Sequence, residues 1–251
     1  MILDEILLRT RKRVALLPQE FPENGNRSHA SLLDAIQKKN GRNAVIAEIK
    51  CASPSRGVIR RNVDMAMMAG ALARRGCIAL SVLTEPYYFG GTMQDIGQVK
   101  SAVSIPVLRK DFVIDERQIP ESLALGADAV LLIAAVLKGR LPVFVDLAQE
   151  FGLEPLIEVH NQGEVESALA TNADLIGINN RNLSTLRIDR STTRLLSESI
   201  RSGGKKIVSE SGIMTGDDIR EMKPFCDAFL IGSSIMSHER PENKLEEFVC
   251  A

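Results

Sequence analysis

Glu48 and Lys50 stand two residues apart in the stretch Val45-Ile46-Ala47-Glu48-Ile49-Lys50. In an extended strand that spacing puts both on one face, together with Ile46, while Val45, Ala47 and Ile49 take the other. The pattern recurs: Leu108 with Lys110, Leu156 with Glu158 and His160, Gly177 with Asn179. Gathered in one place, these residues make two lysines, two carboxylates and an amide. Burial lowers a lysine's pKa and raises a glutamate's, the tuning that general acids and bases need. The competing reading is a set of structural ion pairs, such as Glu48 with Lys110. Each residue alone fits that reading; all of them at strand ends fit catalysis.

A second chemistry lies in small-residue tips. Ser209-Glu210-Ser211-Gly212 and Ile231-Gly232-Ser233-Ser234 each close an apolar run. Glycine lets backbone N–H groups approach a phosphate, and a following helix N-terminus favours the negative charge. Ser53, beside Pro54, offers a hydroxyl donor, although Gly and Ser are also ordinary turn residues. The segment Thr84-Glu85-Pro86-Tyr87-Tyr88-Phe89-Gly90-Gly91 holds three of the ten aromatics. With Phe112 it suits either a pocket wall for a flat ring or packing under a loop. His29 and His238 read as surface residues. His160 ends a strand but has no second ligand at metal spacing, so a polar structural role is expected. Nucleophile-elbow, Walker and H-E-x-x-H motifs are missing.

Eight elements must position these groups. They read 45–50, 79–84, 106–111, 129–134, 155–160, 175–180, 207–212 and 229–234, all Val/Ile/Leu/Ala-rich as in parallel strands covered by helices. Helices are expected near 63–75, 92–102, 116–125, 138–151, 162–171, 190–202, 216–222 and 241–249. Asp115, Asn161, Asp189 and Thr215 suit helix N-caps, and Gly76, Gly126 and Gly152 suit helix ends. Eight strand–helix units in 251 residues predict an α/β fold, a closed (β/α)8 barrel, whose usual size is about 250 residues. Such barrels carry their chemistry at the C-terminal ends of the strands and often seat phosphate after strands seven and eight. The open-sheet alternative lacks its G-x-G-x-x-G turn; Cys51 to Gly57 stand there instead. Two helices, Ile2 to Leu17 and Leu32 to Lys39 with Ser31 as cap, precede the first strand. They are expected to close the barrel's N-terminal face or to wall the site. Residues 1–251 read as one barrel domain, with 1–44 as a helical extension.

Net charge is −1, which leaves no electrostatic footprint for nucleic acid or an acidic membrane. The longest apolar run, Ala127 to Leu137, is short of the roughly 20 residues that span a bilayer. No signal-peptide pattern opens the chain. The four cysteines lie far apart, as reduced thiols of a cytoplasmic protein would. The basic run Arg9 to Arg13 reads as a solvated helix face.

Glu48-Ile49-Lys50 with Ser53-Pro54-Ser55 closely resembles the first-strand signature of indole-3-glycerol phosphate synthases. Leu108-Arg109-Lys110-Asp111-Phe112, Glu158-Val159-His160, Gly177 to Leu183 and Ser209 to Ile213 continue the resemblance over essentially the whole chain. It implies ring closure, decarboxylation and dehydration of 1-(2-carboxyphenylamino)-1-deoxyribulose 5-phosphate in tryptophan biosynthesis. It implies Lys110 as the acid on the carbonyl oxygen, Glu158 as the base, and Lys50 as second acid or carboxylate anchor. Glu48 would orient a lysine, and Asn179 and Ser211 would hold polar groups of the substrate. Arg181 would face the anthranilate carboxylate, and Gly212, Gly232 and Ser233 the phosphate. Phe89, Phe112, Leu131 and Ile133 would wall the ring, with Ser53 and Glu210 also in contact. Neither metal nor organic cofactor is implied. The partner is a small sugar phosphate, without nucleic acid or membrane, and a monomer is the expected state. Cys51-Ala52 departs from the basic residue that many relatives carry after the lysine, and nothing is drawn from Asn180. The alternatives are another phosphate-binding barrel, such as phosphoribosylanthranilate isomerase, or a barrel that binds without catalysis.

Overall fold

A computed structural model describes residues 2–22, 29–38 and 41–251. Eight parallel strands form a closed barrel: β1 (Val45–Ile49), β2 (Ala79–Leu83), β3 (Val107–Lys110), β4 (Ala129–Ile133), β5 (Glu154–Val159), β6 (Leu175–Asn179), β7 (Lys206–Glu210) and β8 (Ala228–Ile231). Closure is made where β1 pairs β8, Val45 beside Phe229, and β2, Ile46 beside Ala79. With no free edge, every strand must be helix-covered outside and filled inside. The alternation meets both demands. Val45, Ala47 and Ile49 belong to the layer shared with the helices. Ile46, Leu108, Leu131, Leu156, Leu175 and Val208 belong to the interior.

The strand ends differ from the sequence reading by one to three residues. β8 stops at Ile231, because a helical turn, Ser233–Met236, starts where strand was expected. The expected helix 138–151 is divided. A turn at Ala134–Leu137 is followed by a 3-10 turn, and the main helix begins at Leu141, with Pro142 in its first turn. Asn161 and Thr215 cap helices through their side chains. Asp115 and Asp189 do not; they accept from the backbone N–H of Arg117 and Ser191, in the turns before their helices. Gly76, Gly126 and Gly152 take left-handed φ at helix ends. Asp64, a cap that the sequence reading passes over, accepts from Met67 N–H. A small antiparallel hairpin, Ala52–Ser53 with Gly57–Val58, follows β1.

The two preceding helices divide the roles expected of them. The helix α1 (Ile2–Val14) lies across the C-terminal ends of the strands, with Ile6 buried and Leu3 and Leu7 against the interior cluster. It ends at Val14, before Leu17, where Arg117 donates to the carbonyls of Val14 and Leu17. The helix α2 (Leu32–Gln37) plugs the opposite face, burying Leu32 and Ile36. Glu154, the first residue of β5, accepts from Ser31 Oγ and from Leu32 and Leu33 N–H, so a carboxylate fixes the N-terminus of α2. Lys39, the expected end of α2, lies outside the described residues. The basic run is solvated in part: Arg11 and Lys12 are exposed, whereas Arg9 and Arg13 have partners. Arg9 stacks on Tyr87 and Tyr88, and Arg13 Nη2 donates to buried Asp111 at 2.7 Å.

Candidate active site

A cavity of about 340 Å³ opens at the C-terminal ends of the strands. Its wall brings together Glu48, Lys50, Ser53, Phe89, Lys110, Phe112, Leu131, Ile133, Glu158, Asn179, Arg181, Glu210, Ser211, Gly212, Gly232 and Ser233. These are the sixteen positions nominated above. His160 lies outside the wall. Sequence reasoning missed Ile2, Leu3 and Ile6, the α1 face that roofs one side, and Leu183, Ile188 and Met214 at the rim.

The charged floor is layered by strand alternation. Lys110 Nζ, at the end of β3, lies 3.1 Å from Glu158 Oε2 of β5 and 3.2 Å from Glu210 Oε2 of β7. Glu48 pairs with Lys50 at 2.5 Å, not with Lys110 as the ion-pair reading had it. Residues two apart on one strand stay neighbours, whereas the barrel's interior separates β1 from β3.

Three buried carboxylates around one ammonium do not ionise alike. Burial opposes the charge on Lys110, but Glu210, Glu158 and Glu48 outweigh it and push its pKa up. Burial also opposes the charge on Glu158; Lys110 and His160 overcome it and hold this carboxyl well below the usual range. Glu210 goes the other way. Burial and the neighbouring charges of Glu158 and Glu48 push it up to about 7, against the pull of Lys110. The floor therefore presents a fixed ammonium, a fixed carboxylate and a carboxyl that titrates near neutrality. Environments that push like groups apart in this way separate acid from base.

Two glycines make this packing feasible. A Cβ at position 177 would lie inside contact distance of Glu210 Oε1, and one at 232 would do the same to Glu48 Oε1. Both glycines are therefore needed for room, which the tip reading of Gly232 did not include.

At the end of β7, Ser211 (φ 66°) and Gly212 (φ 93°) are both left-handed. For serine this conformation is uncommon and needs support from its surroundings. Asn180 supplies it. Its side-chain amide donates to Ser209 Oγ and to the carbonyls of Glu210 and Ser211, while its Oδ1 accepts from Thr193 N–H and Oγ1–H. Asn179 Oδ1 accepts from Arg181 N–H, and Arg181 Nη1 donates to Leu186 O, which holds the arginine over the rim. Ser53 Oγ is buried without a hydrogen-bond partner among the described residues.

The apolar wall is built from both ends of the chain's order. The rings of Phe89 and Phe112 stand 6.3 Å apart at 39°. Buried Glu85 shapes the Phe89 loop by accepting from the N–H groups of Tyr87, Tyr88 and Phe89. Of the loop's three aromatics only Phe89 lines the cavity; the tyrosines lie under Arg9. Cys51 packs into the outer layer, away from the cavity, so the cysteine that an isomerase reading would place in the mouth is elsewhere.

The family model of indole-3-glycerol phosphate synthase matches residues 3–248. The chain belongs to the indole-3-glycerol phosphate synthase family. It is 44% identical to the indole-3-glycerol phosphate synthase of Caldanaerobacter subterraneus subsp. tengcongensis, over 99% of this chain and 98% of that one. It is 41% identical to that of Methanocaldococcus jannaschii, again over 99% and 98%. Among solved structures it resembles thiamine phosphate pyrophosphorylase from Pyrococcus furiosus, with a TM-score of 0.59, 19% identity, and coverage of 84% and 95% of the two chains. That likeness bears on the barrel fold alone. Membership of the synthase family makes the chain an enzyme, a carboxy-lyase of tryptophan biosynthesis acting on a phosphate-bearing small molecule.

Proposed function

We propose that the cavity binds 1-(2-carboxyphenylamino)-1-deoxyribulose 5-phosphate and closes its indole ring, with Lys110 as the acid and Glu158 as the base. The observation that carries this reading is the buried Lys110 ammonium between two carboxylates, under walls of Phe89, Phe112, Leu131 and Ile133. The ring carbon bearing the carboxylate must attack the ribulose carbonyl. A proton or strong hydrogen bond from Lys110 to that oxygen makes the carbon electrophilic. Loss of CO2 then restores conjugation in the ring. Dehydration needs a proton on the departing hydroxyl and a base for the neighbouring C–H. Glu158, held ionised, supplies the base, and Lys50, held by Glu48, supplies the second acid or anchors the carboxylate. Exclusion of water by the apolar walls strengthens each charge interaction.

The phosphate takes the seat formed by Ser211, Gly212, Gly232 and Ser233, with Ser53 Oγ as an added donor. Arg181 faces the anthranilate carboxylate, and Asn179 holds the loop that carries it. A cytoplasmic location belongs to the same reading and is supported by cysteines that stand as thiols.

Turnover is followed by the fluorescence of the indole product. Lys110→Ala and Glu158→Gln should each lower kcat by about 10²- to 10⁴-fold, the contribution expected of a positioned acid or base. A folded wild type that forms no product would remove the assignment.

A further inference from the structure

Glu158 has a second partner that the floor of the cavity hides. Its Oε2 faces Lys110, while its Oε1 lies 3.3 Å from His160 Nε2. Behind the ring, His160 Nδ1 lies 3.1 Å from Glu164 Oε2. Glu164 is held for this contact from three sides: it accepts from His160 N–H at 2.8 Å and from Asn161 Nδ2 at 2.6 Å, and its own N–H donates to Asn161 Oδ1. Side-chain exposure rises along the row, from 2% at Glu158 to 12% at His160 and 17% at Glu164. His160 does not line the cavity, and among the described residues its Nε2 makes no aligned hydrogen bond, so the 3.3 Å approach to Glu158 Oε1 is the contact by which it meets the floor.

The proposed reaction needs such a route. Ring closure forms a C–C bond and places a proton on the former carbonyl oxygen. Loss of CO2 breaks a C–C bond and leaves its electron pair in the ring system. Release of water breaks a C–O bond with a second proton, and one proton leaves the adjacent carbon. Two protons are taken up and one is returned, so each turnover draws one proton from solvent. Lys110 is 15% exposed through the open cavity, and a substrate seated there would cover it, so resupply from the far side is needed during turnover; imidazole is the side chain suited to carrying a proton through.

We propose that Glu164, His160 and Glu158 form a proton relay that recharges the Lys110 side of the site from solvent, with His160 as a positioning and proton-transfer residue acting through Glu158. A proton enters at Glu164, crosses the imidazole from Nδ1 to Nε2 by exchange of one N–H for the other, and reaches Lys110 through the Glu158 carboxylate. The proposal rests on Glu158 being the base, and its test separates the two.

His160→Gln, which keeps an amide near Glu158 but cannot pass a proton, should lower kcat about tenfold or more with KM within about twofold, and should raise the solvent deuterium effect on kcat. Glu164→Gln should do the same. His160→Ala should be slow and should regain turnover on addition of imidazole. Thermal melting checks that each variant is folded. Both glutamine variants turning over within about twofold of wild type would overturn the relay, as would a folded His160→Ala that imidazole does not restore. Loss of turnover in Glu158→Gln together with a fully active His160→Gln would overturn the relay alone; full turnover in Glu158→Gln would overturn the base assignment first.

Discussion

Glu210 shows how one buried carboxyl couples the site to pH. Its folded pKa of about 7 stands above the ordinary 4.5, so the folded chain holds this proton more tightly than the unfolded chain does. The stability it contributes is complete below about 4.5 and is lost as pH rises to about 7. Glu210→Gln should therefore gain on the wild type in denaturant unfolding between pH 4.5 and 7.5, whatever its offset at the lower pH. A difference that stays constant over that interval would contradict the burial argument. His160 carries the opposite chemistry with the same sign: its pKa is pushed up to about 10 by Glu158 and Glu164 against the effect of burial. Its stabilisation is complete below about 6.5 and is lost as pH rises towards 10. At this scale the sequence was informative about which residues meet, since a period of two sends Glu48, Lys110 and Glu158 inward. It was silent on which acid meets which lysine. That depends on distances across the barrel, and it reassigned the Glu48 partner to Lys50.

At the scale of elements, α1 is the part of the site that patterning of strands cannot reveal. Arg13 ties it to Asp111, next to Lys110 in the chain, and Asp111 also accepts from Arg109 and Thr84 and caps its own neighbour, Phe112 N–H. Burial opposes the Asp111 charge, and Arg109 and Arg13 hold its pKa down. Arg13→Ala should cost about 1–3 kcal/mol, the scale for a hydrogen bond to a charged group, and should loosen the wall formed by Ile2, Leu3 and Ile6. Substrate KM should rise several-fold while kcat changes less, which steady-state kinetics beside a thermal melt would show; an unchanged KM would mean that α1 does not form part of the binding wall. The helical spacing of residues 2–14 was readable, but its basic run looked like a solvated face. Arg11 and Lys12 do stay in solvent; what gave Arg9 a surface stacking partner and turned Arg13 inward was the presence of two tyrosines and an aspartate from distant segments.

Across the whole molecule, the barrel separates a working face from a stabilising one. All sixteen nominated positions lie at the C-terminal ends of the strands, whereas Glu154, Ser31, Leu32 and Ile36 plug the other end. Glu154→Ala removes the acceptor for Ser31 Oγ and two backbone N–H groups of α2. It should lower stability by about 1–3 kcal/mol with KM unaffected, since the change lies below the packed interior. A marked rise in KM would show that the two faces are coupled. The sequence by itself determined the strand count, the inward set and the tips, because covered parallel strands impose short-range rules: alternation, caps and glycine at helix ends. Only the tertiary structure decided that Glu158 and Glu210 share Lys110, that Gly177 and Gly232 make room for carboxylates, that Asn180 supports the left-handed Ser211, and that α1 roofs the pocket. Those outcomes depend on barrel closure, which sets the distance between residues from about 30 to more than about 180 positions apart, lengths over which local propensity carries no information.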